Sequence, residues 1–354
     1  MIDSTPPGPA APGATYARAL EAFQGGRFAE AERMLRDLVA RSPEAVEALQ
    51  LLGAALGAQG RACEALSWFD RARTLRPNSP TLLQNRAQAL VALGRLAEAQ
   101  SELEQALAHD PRLHAGWNLL GAVLGALNEA PGAERAYRRA LALKPEDAAT
   151  HYNLALFFQE RGRGDEAIAG YRKALALRPG FAAAHNNLAN ALKLKGRLAD
   201  ALGHYAQAVR LDPQLADAFS NFGTALRESG RVDEAIALLE QAARLKPGSE
   251  AIQNNLGIAY YERNRFTDAL ACYRRALAVR PDFIEARNNL GNTLAALGDA
   301  GALECYRAVL AQMPEHADAH SNLGLLLQER GATEEAVAHY ERALAIRPDH
   351  PDAL

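Results

Sequence analysis

Apolar residues recur along the chain at the three- and four-residue spacing of amphipathic helices, in pairs of segments joined by short turns. One proline follows each pair of segments, and all but one of the steps between these prolines are 34 residues long. These prolines are Pro43, Pro77, Pro111, Pro145, Pro179, Pro213, Pro247, Pro281, Pro314 and Pro348. Two amphipathic segments in a period of this length predict an all-α solenoid of stacked helix pairs.

Numbering each repeat so that its proline takes position 32 divides the chain into ten repeats, each with a helix A and a helix B. The repeats span 12–45, 46–79, 80–113, 114–147, 148–181, 182–215, 216–249, 250–283, 284–316 and 317–350. Residues 1–11 are rich in Pro, Gly and Ala, and we expect a flexible tail there. Residues 351–354 match the start of a further, truncated repeat.

No polar capping helix follows the tenth repeat, so part of the apolar surface of its helix B is expected to face water. We therefore expect either that the native polypeptide continues beyond Leu354 or that this uncapped end stacks on another surface. Homo-oligomerisation through this end is one form of the second outcome.

Small and large residues hold fixed places in the repeat. Position 8 is Ala or Gly and position 20 is Ala throughout, which lets helices A and B approach closely. Position 24 is aromatic or Leu, and position 15 is Gly or, at Asn128 and Asn264, an asparagine that tolerates the left-handed turn. Arg86 stands at position 7, where most repeats have an apolar residue, and we expect its charged head to reach water.

These positions resemble those of the tetratricopeptide repeat (TPR) family, and the resemblance covers the chain from Ala31 to Pro348. It implies a right-handed TPR superhelix of ten helix-turn-helix repeats, with helices A on its concave side. Five of the ten helices A also carry the residues Asn-Leu-(Ala/Gly) at positions 6 to 8, as in Asn187-Leu188-Ala189.

Asparagine at position 6 is the feature that packing does not require. Asparagine is a poor residue inside a helix, costing several tenths of a kcal/mol relative to Ala, so its recurrence indicates a function. The asparagines are Asn85, Asn153, Asn187, Asn221, Asn255, Asn289 and Asn322. Two hypotheses remain open. The amides bind the backbone of an extended peptide in the groove, or each bonds to a neighbouring helix and fixes the stacking.

Further asparagines are expected in the same groove at positions 5 and 9. They are Asn186, Asn254 and Asn288 at position 5, with Asn190 and Asn292 at position 9. The groove is polar, mixed in sign and richest in asparagine from the fifth to the ninth repeat, so the peptide-binding site is predicted between Asn153 and Asn322.

The asparagine ladder makes the chain similar to the TPR superhelix of O-linked N-acetylglucosamine transferases. In that family the ladder binds the main chain of protein substrates, and the catalytic part lies C-terminal to the repeats. The departures are Leu51 and Leu119, which interrupt the ladder, and the lack of a glycosyltransferase domain in these 354 residues. The first functional interpretation is therefore a non-catalytic protein–protein interaction scaffold; the alternative is the substrate-recognition region of such a transferase.

The composition argues against several classes of binding partner. The net charge is −3 and there is no long basic run, which argues against nucleic acid, including an RNA-binding helical repeat. No apolar run is long enough for a membrane span. Three separated cysteines suit a reducing, cytoplasmic compartment. The Lys and Arg pattern of TPR carboxylate clamps is absent from the corresponding positions.

The sequence shows no catalytic constellation and no phosphate-binding loop, and no cofactor is expected. Histidines share repeat positions, with His151, His185 and His320 at position 4 and His204 and His339 at position 23. Their spacing follows from the repeat, and no carboxylate or cysteine stands beside them at ligand spacing. We therefore expect packed or surface histidines and no metal site.

Overall fold

A computed structural model describes residues 12–351, and this part of the chain contains twenty α-helices and no strand. The helices are α1 (Pro12–Gln24), α2 (Phe28–Arg41), α3 (Val46–Ala58), α4 (Ala62–Leu75), α5 (Pro80–Ala92), α6 (Leu96–His109), α7 (His114–Ala126), α8 (Ala130–Leu143), α9 (Ala148–Glu160), α10 (Gly164–Leu177), α11 (Ala182–Leu194), α12 (Leu198–Leu211), α13 (Ala216–Glu228), α14 (Val232–Leu245), α15 (Glu250–Glu262), α16 (Phe266–Val279), α17 (Ile284–Ala296), α18 (Ala302–Gln312), α19 (Ala317–Glu329) and α20 (Thr333–Ile346). The all-α prediction with ten helix pairs is confirmed. The predicted tail over 1–11 and residues 352–354 lie outside the described residues.

The chain forms two compact units, residues 1–179 and residues 180–354. The first holds helices α1 to α10 and the second holds α11 to α20, so each contains five helix pairs. Within each unit every helix A packs on the helix B that follows it, and that helix B packs on the next helix A. Each unit is therefore a stack in which a repeat contacts its sequence neighbours.

The turn between helices A and B requires a left-handed residue at position 15. Gly60 has φ +77°, and Asn128 and Asn264 have φ 62° and 57°. The predicted role of these positions is confirmed, because only glycine and asparagine adopt this conformation at little cost.

Helices A and B of one repeat meet where a small residue faces a large one. In the eighth repeat a Cβ atom added to Gly257 would lie 2.6 Å from Cε1 of Tyr273, and Tyr273 is 1% exposed. Gly53 faces Phe69 and Gly121 faces Tyr137 in the same way. The position-24 side chain thus fills the space that position 8 leaves empty.

Arg86 is half-buried, and its charged head pairs with acidic side chains instead of standing free in water as we expected. Its side chain is 13% exposed and forms ion pairs with Asp70, at 2.7 Å, and with the buried Glu102. Glu102 also accepts a hydrogen bond of 2.8 Å from Arg73. The carboxylate at position 23 holds the guanidinium inside the repeat, and the sequence interpretation overlooked this partner.

The side chain at position 4 makes a recurring hydrogen bond that the repeat pattern did not reveal. It bonds to the carbonyl oxygen of the proline six residues earlier. Trp117 Nε1 donates to Pro111 at 2.9 Å, and His151 Nε2 lies 2.9 Å from the oxygen of Pro145. These bonds satisfy a backbone acceptor in the turn before helix A.

Candidate functional site

The seven position-6 asparagines lie on helices A, and each is half-buried. Four of them donate from Nδ2 to Oδ1 of an asparagine at position 5 of the preceding repeat. These bonds run from Asn153 to Asn118 at 3.2 Å, from Asn221 to Asn186 at 3.0 Å, from Asn289 to Asn254 at 3.1 Å and from Asn322 to Asn288 at 3.4 Å. The ladder therefore links neighbouring helices A, as one of the two sequence hypotheses requires.

The position-5 asparagines lie behind the ladder. Asn186, Asn254 and Asn288 are 8%, 7% and 8% exposed, so we correct the expectation that they line the open groove. They are buried because each supplies the oxygen that accepts the amide of the next repeat. Asn118 has the same role in the first unit, although it was not among the predicted site residues.

The position-9 asparagines connect the ladder to the core. Asn190 Oδ1 accepts from the hydroxyl of Tyr205 at 2.5 Å, and Asn292 Oδ1 accepts from Tyr306 at 2.9 Å. Asn322 also donates to Asn292 at 2.9 Å. Burial raises the pKa of both tyrosines, so each hydroxyl stays protonated and available as a donor. These bonds restrict the rotation of the asparagine side chains.

This network occupies the nitrogen side of the ladder. On the oxygen side, Asn187 Oδ1 accepts a hydrogen bond of 3.1 Å from Asn186 Nδ2, whereas the next three ladder oxygens are open. Asn255 donates from Nδ2 to Thr224 Oγ1 at 3.4 Å, in line with the bonds of Asn221 and Asn289. Within residues 12–351, the Oδ1 atoms of these three asparagines accept no hydrogen bond. Because their nitrogens are held, the second unit presents a row of oriented acceptors.

We call the surface formed by positions 6, 9, 12 and 13 of helices A the ladder face. In the second unit, ion pairs cross it between repeats. Lys193 Nζ lies 3.0 Å from Glu228 Oε1, and Arg227 Nη1 lies 2.6 Å from Glu262 Oε1. In each pair a cation at position 12 meets an acid at position 13 of the next repeat, so the charges along this face are largely compensated.

The first unit has a different surface at the same positions. A cavity of about 300 Å³ is lined there by Gly53, Ala54, Gly57, Phe69 and Asn85, and it is mostly apolar. The second unit has a cavity of about 270 Å³ near its last helices A, bordered by Tyr261, Asn292, Asn322 and Glu329. The polar character predicted for the later repeats is therefore seen in the second unit.

Histidines at positions 4 and 23 pair within a repeat, a contact that the sequence interpretation did not anticipate. The Nδ1 atoms of His185 and His204 are 3.0 Å apart, and those of His320 and His339 are 2.9 Å apart. His320 Nε2 also bonds to the carbonyl oxygen of Pro314 at 3.0 Å, and since a carbonyl only accepts, this nitrogen carries the hydrogen. When the His320 ring carries its hydrogen on Nε2 alone, its Nδ1 is an acceptor, and His339 Nδ1 donates to it.

Acid is expected to destabilise this histidine pair. Burial lowers the pKa of His339, and His320 and Arg307 add to this effect while Glu335 opposes it. The folded state then binds fewer protons than the unfolded state below about pH 6.5, so stability is lost as the pH falls. We expect the melting temperature to fall less between about pH 7 and about pH 5 in His339→Gln than in the wild type.

Thermal unfolding followed by circular dichroism at both pH values measures this difference. His109→Gln is the matched control, because His109 is exposed. An equal acid shift in wild type and His339→Gln would contradict the pairing argument.

Among residues 12–351, no three His, Cys, Asp or Glu side chains are grouped so that they could hold a metal ion. Nor is any helix in this range long and apolar enough to cross a bilayer.

Solved structures with a similar fold are TPR proteins and assemblies. The Cut9–Hcn1 hetero-tetramer of the APC/C is 18% identical, with 99% of this chain and 77% of that chain covered and a TM-score of 0.57. A tetratricopeptide repeat protein from Parabacteroides merdae is 18% identical over 70% of this chain and 98% of its own, with a TM-score of 0.55. YrrB, a TPR protein with an unusual peptide-binding site, is 30% identical over 52% of this chain and 95% of its own, with a TM-score of 0.44.

No curated protein matches the sequence. Models described as tetratricopeptide repeat match residues 16–80, 56–123, 146–214, 180–248, 220–278 and 282–349. A model described as TPR repeat matches residues 259–298. Together these matches cover residues 16–123 and 146–349, and the chain therefore belongs to the tetratricopeptide repeat family.

Proposed function

We propose that this protein is an interaction scaffold whose second unit binds an extended polypeptide along the ladder face, chiefly through the peptide backbone. The observation that carries the proposal is the row of oriented Oδ1 acceptors at Asn221, Asn255 and Asn289. An extended chain has unpaired N–H groups that need such acceptors. The bound peptide therefore donates to the ladder.

The spacing of the ladder suits a polyproline II-like backbone. Successive helices A of the second unit also contact one another. Helices in contact lie about 8–10 Å apart, so successive asparagines are separated by a similar distance. A polyproline II helix rises about 3.1 Å per residue with three residues per turn, or about 9.3 Å per turn. One N–H per turn can thus meet one asparagine per repeat. The peptide has no internal backbone hydrogen bonds to break.

The strength of such binding comes from the number of bonds. A hydrogen bond contributes about 0.5–1.5 kcal/mol net, because water competes for both partners. About three or four ladder positions together support micromolar binding at most, unless side chains of the peptide add to it. This expectation favours a transient interaction.

Paired substitutions separate backbone binding from repeat stacking. Asn221→Ala with Asn289→Ala removes two ladder oxygens and two inter-repeat hydrogen bonds. Asn186→Ala with Asn254→Ala removes the same two inter-repeat bonds, and the bond from Asn186 to Asn187 Oδ1, but leaves the ladder oxygens in place. We expect similar melting temperatures for the two variants. The position-6 variant should lose about tenfold or more in affinity, and the position-5 variant clearly less.

The ligands for this test are peptides selected on the immobilised protein from a random-sequence phage library, then labelled and measured by fluorescence anisotropy. N-methylation of alternate backbone amides should weaken binding, because it removes the donors that the ladder accepts. The proposal fails if no peptide is enriched, if N-methylation has no effect, or if the position-5 and position-6 variants bind equally.

A further inference from the structure

Two of the four repeat junctions in the second unit carry an ion pair on the ladder face. At a third junction both charges are absent, with Tyr261 at position 12 and Ala296 at position 13, and at the fourth only the acid is present. Lys193 pairs with Glu228 and Arg227 pairs with Glu262, each time from position 12 to position 13 of the next repeat. In the tenth repeat position 13 is Glu329, but position 12 of the ninth repeat is Ala295. The tenth repeat thus has the acid of the two ion pairs without their cation.

Glu329 is exposed and forms no ion pair within residues 12–351. Its carboxylate nevertheless affects the pKa of two tyrosines. After burial, which is the larger cause, Glu329 helps to raise the pKa of Tyr340, and it acts in the same direction on Tyr306. Glu329 and Tyr306 border the same cavity on the ladder face, and this charge has no ion-pair partner within residues 12–351.

A cavity occupies the place of the missing cation. Its volume is about 270 Å³, and Ala295 and Ala296 border it together with Glu329. Leu325, which is 52% exposed, and Leu326 supply an apolar wall, and Tyr261 supplies an aromatic one. The cavity thus has both polar and apolar walls. A side chain with a long aliphatic stem and a polar head needs both kinds of surface to bind.

The ladder also supplies an acceptor at this cavity. Asn322 lines it and donates its Nδ2 to Asn292 at 2.9 Å and to Asn288 at 3.4 Å. Its Oδ1 accepts no hydrogen bond from residues 12–351. A cationic head placed here would meet one carboxylate and one amide oxygen, and would lie beside an aromatic ring.

We propose that this cavity, the Glu329 pocket, binds a lysine or arginine side chain of the polypeptide on the ladder face. The inference rests on the proposed function and adds its side-chain preference. The ligand's cation takes the place that Lys193 and Arg227 occupy in the earlier repeats. Its stem lies along Leu325 and Tyr261, and its head pairs with Glu329.

The test uses single-residue probes that cannot span two ladder asparagines. N-acetyl-lysine methylamide and N-acetyl-arginine methylamide carry the cation, and N-acetyl-norleucine methylamide has an uncharged stem. The readout is the shift of leucine methyl resonances in the full chain. We expect saturable shifts of Leu325 and Leu326 with the cationic probes, and much weaker ones with norleucine.

Substitutions identify the groups responsible. Glu329→Gln should weaken the cationic probes by about fivefold or more, since the loss of a charge-assisted bond is partly offset by solvent exposure. Glu228→Gln makes the same chemical change elsewhere on the face and should leave these shifts unaltered. Ala295→Arg restores the internal cation beside Glu329 and should abolish binding of the cationic probes.

The inference is overturned if lysine, arginine and norleucine probes shift the two leucines equally, if none of them does, or if Glu329→Gln and Ala295→Arg both leave binding unchanged. Using both variants protects the test against misfolding of either one. Probe binding with no peptide binding would count against the ladder alone. Peptide binding by the ladder without probe binding would count against the Glu329 pocket alone.

Discussion

Replacing Tyr273 with alanine is expected to lower the free energy of unfolding by about 3–5 kcal/mol. Tyr273 is 1% exposed and fills the space between helices α15 and α16 beside Gly257. Removing the ring leaves a cavity that two long helices cannot readily close. Because a repeat contacts only its neighbours, the loss should weaken the eighth repeat and its interfaces first.

A second substitution tests the reason for this loss. In the wild type, Gly257→Ala places a Cβ atom against the ring and should destabilise, although alanine favours the helix. In the Tyr273→Ala background the ring is absent, so Gly257→Ala should stabilise. Urea unfolding followed by circular dichroism measures all four chains, with a nearest-neighbour model where the transition is not two-state. If Gly257→Ala has the same effect in both backgrounds, the Tyr273 ring does not contact position 257.

Replacing Arg86 with leucine is expected to cost about 3 kcal/mol, although it restores the apolar pattern of helix A. The loss arises at Glu102, whose side chain is 7% exposed and which keeps only Arg73 as a cationic partner. Glu102 Oε2 already lacks a hydrogen-bond partner within the described residues. Removing a second donor leaves a buried carboxylate still less well compensated.

The double variant Arg86→Leu with Glu102→Leu should recover most of this loss, because well-packed apolar residues replace buried ion pairs at little cost. Arg95→Leu is the control. It breaks an exposed pair with Glu98 in the same repeat and should change the melting temperature little. A double variant as unstable as Arg86→Leu alone would show that the charges themselves hold these helices together.

Asn187 and Asn289 illustrate how much of the candidate site could be predicted. Their place in the repeat, their position on helix A and the polar character of the later repeats all follow from the 34-residue period. Their hydrogen-bond partners do not follow from it. The period shows which residues are equivalent, but not which of them meet across two helices.

Local features were determined by the sequence alone: helix pairs by hydrophobic spacing, the turns by Gly and Asn at position 15, and the small-to-large contact by positions 8 and 24. Tertiary structure decided the rest. It brought position 5 to position 6 across 35 residues, paired His320 with His339, and buried Glu102 beside Arg86. These contacts depend on how far each helix is rotated against its neighbours, and side-chain packing sets that rotation. Packing likewise hides Asn186, Asn254 and Asn288 at position 5 and leaves the oxygens of Asn221, Asn255 and Asn289 open to a partner.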